Sequence, residues 1–155
     1  LVTKEGKSPK TEFVGKSAKY ILDKIGITVG DDVKVILMEA KEDHPFVQVE
    51  LMMPILPLVR VPDVDQAIEM AVRVEHGNRH TAMMHSRNVE KLTKMAKLIQ
   101  TTIFVKNGPS YAGIGVGGEG YTTFTIAGPT GEGLTSAKSF ARRRRCVLVG
   151  GMDVR

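Results

Sequence analysis

Glu50-Leu51-Met52-Met53-Pro54-Ile55-Leu56-Pro57-Leu58-Val59-Arg60-Val61-Pro62 is the stretch on which the fold turns. Prolines at 54, 57 and 62 remove backbone donors and crowd the preceding turn, so the run is not a helix. Its apolar and β-branched content predicts a buried strand over residues 55–61. The carboxylate of Glu50 stands at the mouth of that run. Taken alone it reads as a hydrated or surface-paired group, as most carboxylates are. The alternative is an acceptor of hydrogen bonds from ligand hydroxyls.

Downstream, Asp63 has Gln66 three residues on, a capping-box spacing, and Val64, Ala67, Ile68, Ala71 and Val72 recur at helical intervals up to Gly77. Thr81-Ala82-Met83-Met84 is a short apolar strand entered through His80. Asn88 caps a second helix whose apolar face is Val89, Leu92, Met95, Ala96 and Ile99, and residues 102–105 form the next strand. Upstream, from Thr11 onward, Phe13, Val14, Ala18, Ile21, Leu22 and Ile25 have helical spacing and stop at Gly26, predicting a first amphipathic helix. Residues 33–38 read as a strand and 41–45 as a charged loop. Strand, helix, strand, helix, strand with short connections predicts an α/β fold of parallel βαβ units with right-handed crossovers.

Between residues 107 and 133 the periodicity gives way to a long glycine-rich loop with prolines at 109 and 129. A loop of that length in a compact domain is usually functional or packed against something else. A short helical stretch over 134–140 and a last strand over 144–149 follow, and a terminal strand wants a sheet edge to pair with. Residues 1–11 are polar and aperiodic and do not begin with Met, so the chain reads as a fragment that starts at a cut or connector.

The 155 residues are 42% hydrophobic, the composition of one globular domain with a single core. No apolar run approaches the length of a membrane span and the polar start lacks a secretory segment, so a cytosolic protein without a membrane partner is expected. One cysteine, Cys146, forms no disulfide within the chain. It sits in an apolar run where a small residue packs well, and reads as structural. The net charge is +5, but four arginines occupy residues 142–145, and without them the balance is near neutral. No aromatic residues interleave that run, which disfavours nucleic-acid binding. It reads as a solvated or interface face.

Several motifs fail on inspection. Gly113, Gly115 and Gly118 spell the dinucleotide fingerprint, but no strand leads in and a β-branched, aromatic segment follows where a helix must begin. Gly128 to Thr135 has phosphate-loop spacing with Leu134 in place of the lysine. His76, His80 and His85 share no helical face and have no cysteine or carboxylate pair to complete a metal site, so no metal is expected. His80 alone reads as a partly buried, hydrogen-bonded histidine or as a proton acceptor at a strand end. Met52 and Met53 read as core filler.

Glu50-Leu-Met-Met-Pro, His80-Thr-Ala-Met-Met-His-Ser-Arg-Asn, Asn107-Gly-Pro-Ser and Ala127-Gly-Pro-Thr-Gly-Glu-Gly-Leu-Thr together resemble the aldehyde dehydrogenase superfamily. The resemblance is to its coenzyme A-acylating branch, the acetaldehyde and propionaldehyde dehydrogenases of bacterial microcompartments, over roughly the last third of such an enzyme. It implies residues 1–140 as the C-terminal portion of a catalytic domain and 141–155 as a terminal strand for homo-oligomerisation. In that family a cysteine thiolate attacks the aldehyde, the thiohemiacetal passes hydride to NAD, and coenzyme A releases the acyl group. The family nucleophile and most of the nucleotide-binding domain would lie upstream of Leu1, so this chain alone is expected to be inactive.

By the same resemblance Glu50 receives hydrogen bonds from the nicotinamide ribose, Met52 lies near the nicotinamide ring, and His80 is a proton acceptor assisting the coenzyme A thiol. Ser110, Tyr111 and Ile114 border the substrate tunnel. A cytoplasmic protein, inside a microcompartment in the relatives, is implied. The rival reading is a stand-alone basic binding or assembly module that uses the arginine run and the glycine-rich loop.

Overall fold

The computed structural model describes residues 1–5, 8–118, 137–147 and 149. The chain divides into two compact units, Leu1–Gly77 and Asn78–Arg155.

The first unit opens with β1 (Thr3–Lys4) and β2 (Ser8–Pro9), an antiparallel pair, and a 3₁₀ turn at Thr11–Phe13. The continuous helix expected from residue 11 is broken. Gly15 takes φ 71°, its N–H goes to the carbonyl of Met52 at 3.0 Å, and α1 (Ala18–Asp23) begins only after Ser17 accepts the Tyr20 N–H. A hydrogen bond to a distant segment has overridden an unbroken helical pattern, because a glycine in the left-handed region ends a helix at little cost.

β3 (Ile36–Glu39) and β4 (Ile55–Leu58) pair in parallel, Ile36 opposite Ile55 and Leu37 opposite Leu56. Both are shorter than the 33–38 and 55–61 runs suggested. Ile36 and Ile55 pack, with Phe46 and Met53, on the buried cluster of Val2, Phe13 and Ile21. Leu37, Leu56 and Leu58 on the opposite face are exposed, so the strand expected to be buried on both faces alternates instead.

The charged loop after β3 ends in a one-turn helix, α2 (Pro45–Gln48), which the sequence reading missed. His44 accepts the Phe46 N–H at 3.1 Å as its cap, and Pro45 takes the first helical position. Asp63 caps α3 (Val64–Val74) as expected. The backbone N–H of Gln66, followed by its side-chain amide, holds the Asp63 carboxyl below its ordinary value. Arg73 on α3 grips Glu42 through two hydrogen bonds, 2.8 and 3.1 Å, which lower the Glu42 pKa and raise that of Arg73.

The second unit is a βαβ unit. β5 (Thr81–Met84) and β6 (Ile103–Lys106) pair in parallel, joined by α4 (Val89–Ile99), which buries Leu92, Met95 and Ile99 and is capped by Asn88. A 3₁₀ helix at Ser110–Ile114 places Ile114 on Ile103 and Val105. The parallel pairing of β3 with β4 and of β5 with β6 confirms the α/β class.

Residues 119–133 of the glycine-rich loop and 134–136 of the short helical stretch lie outside the described residues; the rest of that stretch, Ala137–Phe140, is a 3₁₀ turn. Residues 142–147 form no strand and Cys146 is exposed rather than packed. A strand exists only with a hydrogen-bonded neighbour, and among the described residues none pairs with this segment. The remainder, 148 and 150–155, lies outside the described residues. No helix among the described residues is long and apolar enough to cross a membrane.

Candidate functional site

In the first unit, Glu50 follows α2 directly after its cap, Val49. Leu51 is buried and anchors the turn. Met52 adopts the left-handed conformation at φ 55°, uncommon for a bulky residue, and its carbonyl is held by the Gly15 N–H. Met53 turns inward to the core, and its carbonyl accepts the Ile55 N–H at 2.8 Å. The two methionines thus part company. Met53 is the core filler expected of both, whereas Met52 is 61% exposed. Its side chain lines an open cleft of about 510 Å³ with Lys16, Ser17, Val33, Lys34 and Pro54.

The carboxylate of Glu50 is exposed, and among the described residues no hydrogen-bond or ion-pair partner holds it. An exposed, acceptor-only carboxylate is chemically suited to take hydrogen bonds from hydroxyl donors.

In the second unit, His80 precedes β5 and is exposed, not partly buried. Its Nδ1 lies 2.7 Å from the Thr81 hydroxyl, a hydrogen bond that orients the ring, and its carbonyl accepts the Ile103 N–H at 3.2 Å. Ser110 and Tyr111 are exposed on the 3₁₀ helix, whereas Ile114 at its end is buried. The segment doubles back over β6 because Gly113 lets it approach. A Cβ on Gly113 would stand 2.3 Å from Cγ2 of Ile103. A cavity of about 400 Å³ lies here, lined by residues that include Phe104, Lys106, Asn107, Pro109 and Gly117.

Sequence reasoning missed Asn107. It follows β6 in the left-handed conformation, φ 55°, and its side chain bonds both backbone groups of Ser86. The readable signal was Asn-Gly directly after an apolar strand, since Asn tolerates this conformation. Among the described residues no cluster of His, Cys, Asp and Glu is arranged to hold a metal.

The aldehyde dehydrogenase family profile matches residues 33–132, which include Glu50, Met52, His80, Asn107, Ser110, Tyr111 and Ile114. The chain belongs to the aldehyde dehydrogenase family. It is 54% identical over 152 residues to the propanal dehydrogenase (CoA-propanoylating) of Salmonella typhimurium, covering 97% of this chain and 32% of that protein. Among solved structures it is similar to Rhodopseudomonas palustris propionaldehyde dehydrogenase, determined with bound CoA and an acylated cysteine. The TM-score is 0.88 and the identity 72%, over 96% of this chain and 34% of that one. It is also similar to a propionaldehyde dehydrogenase from the fucose utilisation microcompartment of Clostridium phytofermentans, with TM-score 0.85 and 50% identity over 100% of this chain and 35% of that one. This aldehyde dehydrogenase chain spans about a third of the length of the curated relatives it matches.

Proposed function

We propose that this chain is the C-terminal portion of a CoA-acylating aldehyde dehydrogenase that converts propanal or acetaldehyde, with CoA and NAD, to the acyl-CoA. The exposed Glu50 carboxylate, on a turn fixed by buried Leu51 and by the Gly15 to Met52 hydrogen bond, carries the reading. Glu50 would accept hydrogen bonds from the ribose hydroxyls of the dinucleotide, and Met52 would stand near the nicotinamide. When bound, the dinucleotide supplies the hydride acceptor. His80, its ring oriented by Thr81, takes the proton of the CoA thiol, which is the better nucleophile as thiolate. Ser110 and Tyr111 border the aldehyde pocket, together with Ile114, which packs on Ile103 and Val105. The nucleophilic cysteine comes from outside this chain, because Cys146 sits in the terminal segment the reading assigns to assembly.

Residues 141–155 pair with a second copy, and the assembled enzyme resides in a microcompartment, as the Clostridium relative's source suggests. Light scattering on the intact protein tests the pairing, where a monomer at high concentration counts against it.

The decisive test is Glu50→Gln in the intact protein. Replacing a charged acceptor by a neutral amide is expected to lower kcat/KM for NAD roughly ten- to hundredfold. An unchanged NAD affinity and kcat would remove the chemical basis of the assignment. The isolated chain, assayed with NAD, CoA and propanal, is expected to give no turnover.

A further inference from the structure

We infer that Asn107 is a positioning residue for the aldehyde pocket, acting through Ser110 and Tyr111, an inference that rests on the reading of those two residues given above. At the carboxyl end of β6 its backbone N–H bonds the Met84 carbonyl at 3.0 Å, one step beyond the last paired residues of the sheet. Its side-chain amide continues the ladder where the main chain has already turned away. Oδ1 accepts the Ser86 N–H at 2.8 Å and Nδ2 donates to the Ser86 carbonyl at 3.0 Å, across 21 residues of sequence. A primary amide can at once accept from the N–H and donate to the C=O of a single residue.

The clamp reaches further on each side. Ser86 Oγ accepts the Asn88 N–H at 3.0 Å, and Asn88 Oδ1 accepts the Lys91 N–H at 3.0 Å, so the entry to α4 is tied to the same point. On the other side Gly108 and Pro109 lead at once into the 3₁₀ helix bearing Ser110 and Tyr111. Gly108 has little latitude, since a Cβ there would lie 3.3 Å from Cγ1 of Val105. The direction in which the pocket segment leaves the sheet is therefore set by one residue, whose φ and two side-chain bonds must hold together. A shift of an ångström at the start of the segment would displace both pocket side chains. Misplacement on that scale is costly to a reaction that depends on orientation.

The test uses the intact protein with Asn107→Gly, which keeps the left-handed backbone and removes the clamp, and Asn107→Asp, which keeps the acceptor for Ser86 N–H and loses the donor. The clamp predicts a roughly ten- to hundredfold fall in kcat/KM for propanal in Asn107→Gly, an intermediate fall in Asn107→Asp, and a flattened preference between propanal and hexanal. Dissociation constants for NAD and CoA should not move. An unchanged propanal to hexanal ratio in either folded variant overturns the inference, as does a loss that follows Tm alone. If Asn107→Gly does not fold, the chain-length ratio of Asn107→Asp decides. Wild-type protein lacking CoA-dependent propanal oxidation would instead refute the functional reading, so the two failures are distinguishable.

Discussion

In the first unit the turn that carries Glu50 and Met52 is held by main chain, through the Gly15 N–H on the Met52 carbonyl, over a core of Val2, Phe13 and Ile21. In the second unit the turn that carries Ser110 and Tyr111 is held by a side chain, the Asn107 amide on Ser86, over the smaller cluster of Ile103, Val105 and Ile114. Both turns leave or enter a pair of parallel strands. A main-chain bond needs only that the backbone reach its place, so its security depends on the hydrophobic packing beneath. A side-chain clamp depends on the identity of one residue. The first unit should therefore be sensitive to loss of core volume, and the second to changes in local geometry.

The largest effect expected is from Phe13→Ala. Removing a side chain that is 2% exposed at the centre of the first core should cost about 3–5 kcal/mol, measured by denaturant unfolding. A cost under about 1 kcal/mol would mean the core has collapsed around the loss and that the contrast between the units is wrong.

A pair of glycine substitutions sharpens the contrast. Gly113→Ala forces a methyl against buried Ile103 and should destabilise by about 1–3 kcal/mol while shifting the Ser110–Ile114 helix. Gly15→Ala meets nothing within 4 Å, so its cost is only that of a left-handed alanine, about 1 kcal/mol. If Gly15→Ala proves the more damaging of the two, the turn in the first unit is the tighter one.

The smallest effect concerns pH. Asp63 is held below its ordinary value of 3.8 by the Gln66 hydrogen bonds. Its contribution to α3 is thus fully present above that ordinary value and is lost as pH falls through the lowered one. Asp63→Asn keeps the cap without titrating. The wild-type helical signal should decline between about pH 5 and pH 2 by more than that of the variant. Identical acid profiles would show that the cap does not report on this unit.

The same division explains what was readable beforehand. α3 and α4 were placed with their caps because Asp63 and Asn88 announce their helices locally, and β5 because the short, largely apolar run Thr81–Met84 lies between polar turns. The helix expected from Thr11 to Gly26 failed at Gly15, where the deciding partner, Met52, is remote in sequence. Glu50, Met52, His80, Ser110 and Tyr111 were named by resemblance. Their exposure, the divergence of Met52 from Met53 and the burial of Ile114 could not be read from periodicity, because each depends on which way a turn is held.

Sequence by itself determined the α/β class, the two long helices with their caps, and membership of the aldehyde dehydrogenase family, because hydrophobic period, capping residues and motif order are local or collinear properties. Tertiary structure alone decided that the chain turns at Gly15 and Met52 and that the turn at Asn107 is clamped to Ser86. Those left-handed positions are stabilised by hydrogen bonds to residues distant along the chain, and no local pattern records which distant partner will arrive.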